Sequence, residues 1–483
     1  MTRHTYKNPL EFNPSNVPEP VFDDHLEYIE LYYIAWKQAW DHVIEKEGVP
    51  CSPYLDEGFS PTTIWIWDTA FMALFCRYAY KTFPGVESFD NFYKPLHDQI
   101  PSTQHMQHPD NPPLFAWAEY CNFMHTGDVE RITSLLKDKQ YLQKHFDFFN
   151  DLKQGSKVEF GKVPVALEKH SHGFMWNGCS SGMDNTPRGR DHHDEIYWLD
   201  ALAQQALSAL YISRLAEAIG DVETALLYKD KHADMANLLN SYYWDDEDGF
   251  YYDILIDDIN KHSKVKTPAS FWPMLAEVAT PEQAKRMVES VQEQHMFGDQ
   301  IPWTSVSVDD PAFAPTGQYW RGSVWVPTAY MAVKALEKYN FQAFADDTAE
   351  NLLKHVYATY KNYSPHTIWE AYSPVSAEPA TTAGDKGVCR PDFCGWSALV
   401  PISMLIENVL GFTEVNALEN KIVWRIKRTS RHGIKNLCFG DVETDLVAHN
   451  WHVEVKTNKP YTLNINGKNH KLVAGVNNLD INL

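Results

Sequence analysis

The chain has 483 residues, of which 44% are hydrophobic and 22% are charged, an ordinary composition for a globular protein that excludes long intrinsic disorder. Its 42 basic and 64 acidic residues give a net charge of −22, which argues against nucleic acid and anionic membrane surfaces as partners. Aromatic residues make up 13%, more than a core needs, and aromatic rings pack well against the apolar C–H face of a pyranose.

The sequence contains no apolar run of about 18 residues, so it predicts no membrane-spanning helix. No apolar segment follows the first basic residues, so it predicts no signal peptide. The seven cysteines are scattered and form no Cys-x-x-Cys pair, which argues against a disulfide framework and against a zinc site. We therefore expect a cytoplasmic protein with reduced thiols, or a periplasmic one if a leader has been removed.

Residues 1–22 are rich in Asn and Pro and predict an extended N-terminal arm. Residues 23–415 place apolar residues three and four positions apart, which predicts a domain of paired helices joined by long loops. Short strand-like alternation before residue 410 is confined to pieces such as 249–255. The predicted helices lie near 27–46, 68–82, 114–126, 128–152, 193–218, 221–243, 281–295, 322–339, 342–360 and 396–409.

Residues 416–483 have the pattern of a small β domain. Apolar and polar residues alternate in 421–426, 447–456 and 461–465, and Asn466-Gly467 predicts a hairpin turn. From residue 420 onward ten Lys and Arg residues face five Asp and Glu residues, a net charge of +5. We expect this basic domain to dock on the acidic helical domain by charge as well as by apolar contact.

Five loop-like stretches each combine Trp or Tyr with a carboxylate, an amide or a guanidinium. A core would bury the aromatic residues and leave the charged ones elsewhere, so this repeated mixture indicates a site for a polar, ring-shaped ligand. The stretches are 63–69 (TIWIWDT), 107–117 (QHPDNPPLFAW), 176–188 (WNGCSSGMDNTPR), 318–325 (QYWRGSVW), and 367–372 (TIWEAY) followed by 393–397 (FCGWS).

In this order, the motifs resemble those of the (α/α)6-barrel glycosidases of glycoside hydrolase family 63 and the mannosylglycerate hydrolases, and more distantly the trehalases. The shared elements are an early Trp-Asp, then Ser-Gly-x-Asp-Asn-x-Pro-Arg, Tyr-Trp-Arg-Gly, Trp-Glu-x-Tyr and Gly-Trp-Ser, over about residues 60–410. The resemblance implies a mainly α fold, an (α/α)6 barrel that carries the small C-terminal β domain. It implies chemistry without a cofactor or a metal.

The resemblance places the catalytic acid at Asp184 and the catalytic base at Glu370. On residue type alone, Asp184 also suits a turn or a helix cap and Glu370 a protein surface; the complete set of motifs favours catalysis. Inverting glycosidases hold two such carboxyl groups roughly 6.5–9.5 Å apart, so that a water molecule fits between the base and the sugar. Because the acid must stay protonated near neutral pH, we expect burial or a neighbouring anion to raise the pKa of Asp184.

The resemblance also assigns substrate-binding residues. Asp68 is expected to accept hydrogen bonds from hydroxyls of the non-reducing sugar, although it also suits the N-cap of a helix that begins at Thr69. Arg321 is expected to donate to sugar hydroxyls or to orient Glu370, with a plain salt bridge as the alternative. Trp65, Trp67 and Trp117 fit either the floor of the site or the core. The remaining substrate-binding candidates are Gln107, Trp176, Asn177, Gly178, Tyr319, Trp320, Gly322, Trp369, Tyr372 and Trp396.

Three basic residues near these motifs have secondary expectations. Arg188 ends the Asp184 motif and is expected to steady that loop. Lys386 and Arg390 lie in or beside a Gly-rich stretch, where the resemblance suggests a contact with a carboxylate on the leaving group; a solvated loop is the alternative.

These expectations together predict an inverting, exo-acting α-glycosidase that removes a terminal α-glucosyl or α-mannosyl residue from a small glycoside or an oligosaccharide. The sequence does not specify the sugar, the linkage or the oligomeric state. One alternative is a glycoside phosphorylase on the same barrel, in which phosphate would replace the base and position 370 would carry no acid. Another is a non-catalytic carbohydrate-binding protein, which would have lost one of the two acids. The partner expected in each case is a small-molecule sugar.

Overall fold

The computed structural model describes residues 8, 10–58, 60, 62–106, 110–151, 167–191 and 195–481, and these residues are mainly helical. Their α-helices are α1 Leu26–Asp41, α2 Ile66–Cys76, α3 Asp90–Asp98, α4 Phe115–Thr126, α5 Val129–Thr133, α6 Tyr141–Asp151, α7 Gly178–Ser181, α8 Leu199–Ala218, α9 Val222–Leu238, α10 Trp272–Leu275, α11 Pro281–Glu293, α12 Val326–Lys338 and α13 Gln342–Asn362. Their π-helical segments are Ser134–Asp138, Leu239–Tyr243 and Val400–Val409. Their 3-10 turns are Pro14–Asn16, Arg77–Ala79, Val86–Phe89, Arg188–Asp191, Pro268–Phe271, Ala383–Asp385 and Ser397–Leu399.

Six helical segments pack side by side in a closed order. Helix α2 packs against α4, α4 against α8, α8 against α10 and α10 against α12; the segment 397–409 packs against both α12 and α2 and completes the circuit. Every residue of α2 is buried, as expected for a helix enclosed on all sides. Helices α9 and α13 pack on the outside of α8 and α12, and α1 packs against α13 and the 400–409 segment.

Several predicted helices begin or end at other residues because the backbone pairs locally as strand. The first helix ends at Asp41, since Val43–Ile44 (β2) pairs with Tyr54–Leu55 (β3). Helix α8 begins at Leu199, since Ile196–Tyr197 (β8) pairs with Ile254–Leu255 (β11). The continuous helix predicted over 128–152 is wrong: the described part consists of α5, a π-helical turn and α6, and Gln140 lies between the last two with a left-handed φ of 54°.

Three further pairs of short strands lie within the helical part of the described chain. Thr63–Ile64 (β4) pairs in parallel with His105–Met106 (β5), immediately before α2. Glu168–His170 (β6) pairs with Gly173–Met175 (β7), and Trp244–Asp245 (β9) pairs with Phe250–Tyr251 (β10).

The C-terminal residues form two sheets. The strands are β12 Phe412–Asn416, β13 Lys421–Trp424, β14 His432–Phe439, β15 Val442–His449, β16 His452–Thr457, β17 Thr462–Ile465, β18 Lys468–Lys471 and β19 Gly475–Asp480. One sheet has the order β12-β13-β17-β18. The other has the order β1-β14-β15-β16-β19, in which β1 (Glu19–Phe22) is the end of the predicted N-terminal arm.

Two sequence patterns of this β region had different outcomes. The hairpin turn at Asn466-Gly467 is confirmed between β17 and β18, with positive φ at both residues. The pattern over 447–456 contains a second hairpin that the alternation did not reveal, with its turn at Asn450 and Trp451.

The β region contacts the helices through hydrogen bonds and ion pairs. The Tyr80 hydroxyl donates to the backbone oxygen of Gly440 at 2.9 Å. The Arg425 guanidinium donates to both carboxylate oxygens of Asp346 at 2.7 and 2.9 Å. Opposite charges thus meet across this boundary, as the basic composition of the tail predicts. Among the described residues, none of the helices combines the length and the apolarity that crossing a bilayer requires.

Candidate active site

Three carboxylates from distant parts of the chain influence one another electrostatically. Asp68 lies in the first turn of α2, Asp184 follows α7, and Glu370 lies between α13 and the 397–409 segment. Burial is the largest cause of the raised pKa of both Asp184 and Asp68; the charge of Glu370 adds to both rises, and the charge of Asp184 adds to that of Asp68. Such interactions decay steeply with distance, so the structure brings these three side chains into one site.

The loop that carries Asp184 depends on glycine at two positions. The Asn177 side chain caps α7 by accepting from the Ser180 N–H at 2.9 Å. A Cβ on Gly178 would lie 2.0 Å from the backbone oxygen of Asp184. Gly182 ends α7 with a φ of 78°, and a Cβ there would lie 2.8 Å from the Trp67 ring. Gly178 therefore lets the loop fold back on the Asp184 backbone, and Gly182 lets it pack closely against Trp67.

Asp184 has the environment of an acid that stays protonated near neutral pH. The residue keeps an exposed surface, yet protein surrounds its carboxyl group closely. Burial, the larger cause, and the negative charge of Glu370 raise its pKa to about 7. A carboxyl group with this pKa can hold a proton where an ordinary aspartate cannot.

Glu370 is buried, with 2% of its surface exposed, but it is surrounded by hydrogen-bond donors. Its Oε2 accepts from the Arg390 backbone N–H at 3.0 Å and its Oε1 accepts from the Tyr319 hydroxyl at 3.1 Å. Burial raises its pKa above the ordinary range of a glutamate, and the two hydrogen bonds and the Arg390 charge limit that rise. Donors directed at both oxygens stabilise the carboxylate form.

The backbone around Glu370 is fixed by its neighbours. Its N–H donates to the Arg390 backbone oxygen at 2.9 Å, and its own oxygen accepts from the Trp396 indole at 2.9 Å. The Trp369 N–H donates to the Tyr372 hydroxyl at 3.2 Å. Trp396 and Tyr372, both predicted as substrate-binding residues, therefore contact the segment that carries Glu370.

Asp68 and Trp67 present buried polar atoms that the described protein leaves without a partner. Asp68 is 5% exposed and its Oδ1 accepts no hydrogen bond from the described residues; the same applies to the donor Nε1 of Trp67. Helix α2 begins with Trp65 as its N-cap and has Asp68 in its first turn, so a cap at Asp68 for a helix starting at Thr69 is wrong. Unpaired buried groups are costly unless a ligand satisfies them.

The 318–322 loop forms hydrogen bonds both with Glu370 and with the loop that carries Asp184. Tyr319 donates to Glu370, and Trp320 stacks on Trp325 with ring centroids 4.1 Å apart. The Arg321 Nε donates to the backbone oxygen of Asn185 at 2.7 Å, and the Gly322 N–H donates to the Ser305 hydroxyl at 3.0 Å. The Arg321 guanidinium therefore contacts the acid loop directly.

Other predicted residues have partners outside the three carboxylates or differ in burial. Trp176 donates from its indole to the Asp110 backbone oxygen at 3.1 Å, within the loop before α7. Trp65 is half-buried, whereas Trp117 is buried in α4 with its ring edge-on to Phe71 and Trp272. Gln107 lies outside the described residues.

Arg188, four residues after Asp184, joins the end of this loop to buried carboxylates elsewhere in the chain. Its guanidinium pairs with Asp200 and Asp253, and all three side chains are almost fully buried. It also lies over the Trp198 ring at 4.5 Å. Asn185 belongs to the same motif, but the sequence assigns it no role because its hydrogen-bond partners, Gln318 and Trp320, are more than 130 positions away.

Comparisons with known proteins find one family profile and several distant relatives. The profile of the mannosylglycerate hydrolase MGH1-like glycoside hydrolase domain matches residues 96–387, more than half of the chain. An uncharacterized protein of Borreliella burgdorferi is 28% identical over 372 residues, which cover 74% of this chain and 72% of that protein. A probable mannosyl-oligosaccharide glucosidase of Schizosaccharomyces pombe is 22% identical over 311 residues; the match covers 60% of this chain but 37% of the glucosidase.

The solved structures that match agree in fold. A glycoside hydrolase family 63 mannosylglycerate hydrolase from Thermus thermophilus, in complex with Tris and D-glycerate, superposes with a TM-score of 0.55 at 18% identity. The superposition covers 77% of this chain and 99% of that one. At this identity, the likeness concerns the fold.

Proposed function

The chain belongs to the family of mannosylglycerate hydrolase MGH1-like glycoside hydrolase domains, and we propose that it is an inverting, exo-acting α-glycosidase. Its substrate in this proposal is a small glycoside or an oligosaccharide that ends in an α-glucosyl or α-mannosyl residue. The closed circuit of α2, α4, α8, α10, α12 and the 397–409 segment is the inner ring of an (α/α)6 barrel in this proposal, with α1, α9 and α13 among the outer helices.

The observation that carries the proposal is the unequal environment of the two acids. Glu370 receives a backbone N–H on one oxygen and the Tyr319 hydroxyl on the other, which favours its carboxylate form. Asp184 has a pKa raised to about 7 by burial and by the charge of Glu370. A carboxylate and a protonated carboxyl group that flank one sugar are what an inverting glycosidase needs at neutral pH.

The proposed reaction uses a protonated Asp184 and an ionised Glu370. The Asp184 carboxyl donates its proton to the glycosidic oxygen as the bond to the anomeric carbon breaks. Glu370 removes a proton from a water molecule that attacks the opposite face of the same carbon. The hydroxyl group arrives on the face opposite the departing group, so the product has the inverted configuration.

The unpaired atoms of Asp68 and Trp67 suit the sugar that occupies the site. The Asp68 Oδ1 and the Trp67 Nε1 are a potential acceptor and a donor for ring hydroxyls. The Arg390 guanidinium acts on the pKa of both Glu370 and Asp68, so it is near enough to attract an anionic group on the substrate. Mannosylglycerate therefore belongs in the substrate screen together with neutral α-glucosides and α-mannosides.

The test is hydrolysis of these α-glycosides with proton NMR of the first-formed sugar. We expect the β-anomer to appear first, and first appearance of the α-anomer would refute inversion. Asp184→Asn and Glu370→Gln should each lower kcat by about 10²–10⁴-fold, the contribution of a general acid or base. Near-normal turnover by either variant would refute the role of that residue, and absence of hydrolysis by the wild-type protein across the screen would refute the proposed activity.

A further inference from the structure

Asn185, the residue after the proposed acid, connects its loop to residues 318–321 by three hydrogen bonds, two to backbone groups and one to the Arg321 side chain. Its Nδ2 donates to the Gln318 oxygen at 3.0 Å, and its Oδ1 accepts from the Trp320 N–H at 2.8 Å. Its backbone oxygen accepts from the Arg321 Nε at 2.7 Å. Both ends of one side-chain amide thus hold the backbone on the two sides of the single residue between Gln318 and Trp320.

That single residue, Tyr319, has a conformation that needs support. Gln318 and Tyr319 have φ values of 42° and 66°, in the left-handed region that side chains other than glycine rarely adopt. Such backbone persists only where the surroundings hold it in place. The Tyr319 N–H donates to the Thr381 oxygen at 2.8 Å, and the Trp325 indole donates to the Tyr319 oxygen at 3.1 Å.

The held conformation directs the Tyr319 hydroxyl to the proposed base. The hydroxyl donates to Glu370 Oε1 at 3.1 Å, and this hydrogen bond opposes the rise in the Glu370 pKa that burial causes. A change in the position of the 318–320 backbone would therefore move the hydroxyl and change both the orientation and the proton affinity of the base.

We propose that Asn185 is a positioning residue that keeps the acid loop in register with Tyr319 and, through it, with Glu370. The inference rests on the proposed function, because it assigns a role relative to the proposed acid and base. The amide is specific for this role, since the Gln318 oxygen needs a donor and the Trp320 N–H needs an acceptor. Alanine supplies neither group, and aspartate supplies an acceptor but places a second anion beside Asp184.

The chain offers a closely matched control in Asn466. Its Nδ2 donates to the Ile426 oxygen at 3.0 Å and its Oδ1 accepts from the Ile426 N–H at 2.9 Å. The same two kinds of hydrogen bond are lost in Asn185→Ala and in Asn466→Ala, but the second pair lies in the C-terminal β region. The control therefore separates loss of stability from loss of positioning.

The first experiment compares pH profiles of kcat and of kcat/KM for the wild type and these two variants. In Asn185→Ala we expect kcat to fall by about 10²-fold, the loss typical of a small misplacement of reacting groups, with a smaller change in KM. We also expect the acidic limb of kcat/KM to move to higher pH, since Glu370 loses the support of the Tyr319 hydroxyl. Asn466→Ala should match the wild type in both. A fall in kcat without movement of the acidic limb would overturn the proposal.

A double-mutant cycle with Tyr319→Phe tests the route through which Asn185 acts. If Asn185 acts through the Tyr319 hydroxyl, Asn185→Ala should move the acidic limb no further once that hydroxyl is absent. An equal additional movement in the Tyr319→Phe background would show that the two residues act independently and would overturn the proposal.

Hydrogen–deuterium exchange distinguishes this inference from the proposed function, because it requires no substrate. The Trp320 amide donates a hydrogen bond to Asn185. Peptides that contain residues 318–322 should therefore exchange faster in Asn185→Ala than in the wild type, and at the wild-type rate in Asn466→Ala. Faster exchange in a protein that hydrolyses no glycoside would support the loop contact and refute the proposed activity. Unchanged exchange in Asn185→Ala would overturn the positioning role whatever the activity.

Discussion

Replacement of Asp184 by Asn should stabilise the folded protein above neutral pH while it removes the proposed acid. An aspartate in the unfolded chain titrates near 3.9, whereas the folded pKa of Asp184 is about 7. Between these values the folded protein holds a proton that the unfolded chain has released, so stability decreases as pH rises through this window. Above pH 7 the folded protein bears the full cost of the charged carboxylate, and asparagine avoids that cost.

The magnitude follows from the difference of about three between the two pKa values. Each pKa unit corresponds to about 1.36 kcal/mol, so the upper bound is about 4 kcal/mol. Because Asp184 is partly exposed, solvent screens its charge, and we expect about 1–2 kcal/mol. At about 2.1 cal/mol/K of unfolding entropy per residue, a chain of 483 residues gains about 1 °C in Tm per kcal/mol. The expected rise is therefore about 1–2 °C at pH 8.

Differential scanning calorimetry at pH 5, 6.5 and 8 measures this effect. The gain of Asp184→Asn over the wild type should be largest at pH 8 and should shrink toward zero as pH approaches 4. Asp234→Asn, an equal change of charge on the exposed surface of α9, controls for net charge and should show no such trend. A gain that is independent of pH, or a loss of stability at pH 8, would refute the electrostatic reasoning.

Two further predictions concern the acid and the residue behind its loop. Because the acid must be protonated, kcat/KM should fall as pH rises through about 7, which a pH profile with a neutral α-glycoside measures; a plateau to pH 9 would contradict the pKa of Asp184. Arg188→Met should destabilise the protein by about 3–5 kcal/mol in urea unfolding, since it leaves Asp200 and Asp253 buried without their cation; a loss below about 1 kcal/mol would show that water reaches these carboxylates.

Local sequence signals predicted most of the helical fold and failed where long-range pairing decides the backbone. The apolar periodicity of 114–126 and 342–360 matches α4 and α13 closely, because each of these helices packs along its length. The same periodicity continued through residue 140, where the backbone adopts a left-handed conformation that no hydrophobic pattern encodes. The boundary of α8 depends on strand pairing with Ile254–Leu255, more than 50 positions away, which periodicity does not detect.

In the candidate site, too, some residues could be predicted from the sequence and others depend on contacts with distant parts of the chain. Asp184 and Glu370 were predicted as acid and base through the resemblance to a known family, since on residue type alone each also suits a structural role. The role of Asn185 could not be read from the motif, because an Asn beside an Asp suits a turn equally well and its partners lie in another loop. The left-handed backbone of Gln318 and Tyr319 could not be predicted either, since neither residue type is typical of that conformation.

The placement of hydrogen-bond donors explains how three neighbouring carboxyl groups keep different protonation states. Neighbouring carboxylates repel one another, so ionisation of one raises the pKa of the others. The carboxyl group that accepts the most hydrogen bonds is then the one that ionises most readily. Glu370 has a donor on each oxygen, and its charge raises the pKa of both Asp184 and Asp68. A protonated Asp68 would donate to a sugar hydroxyl as well as accept from one. Burial raises the pKa of all three acids, and the donors on Glu370 oppose that rise at Glu370 alone. The position of the Tyr319 hydroxyl therefore affects which of the three carboxyl groups carries the negative charge.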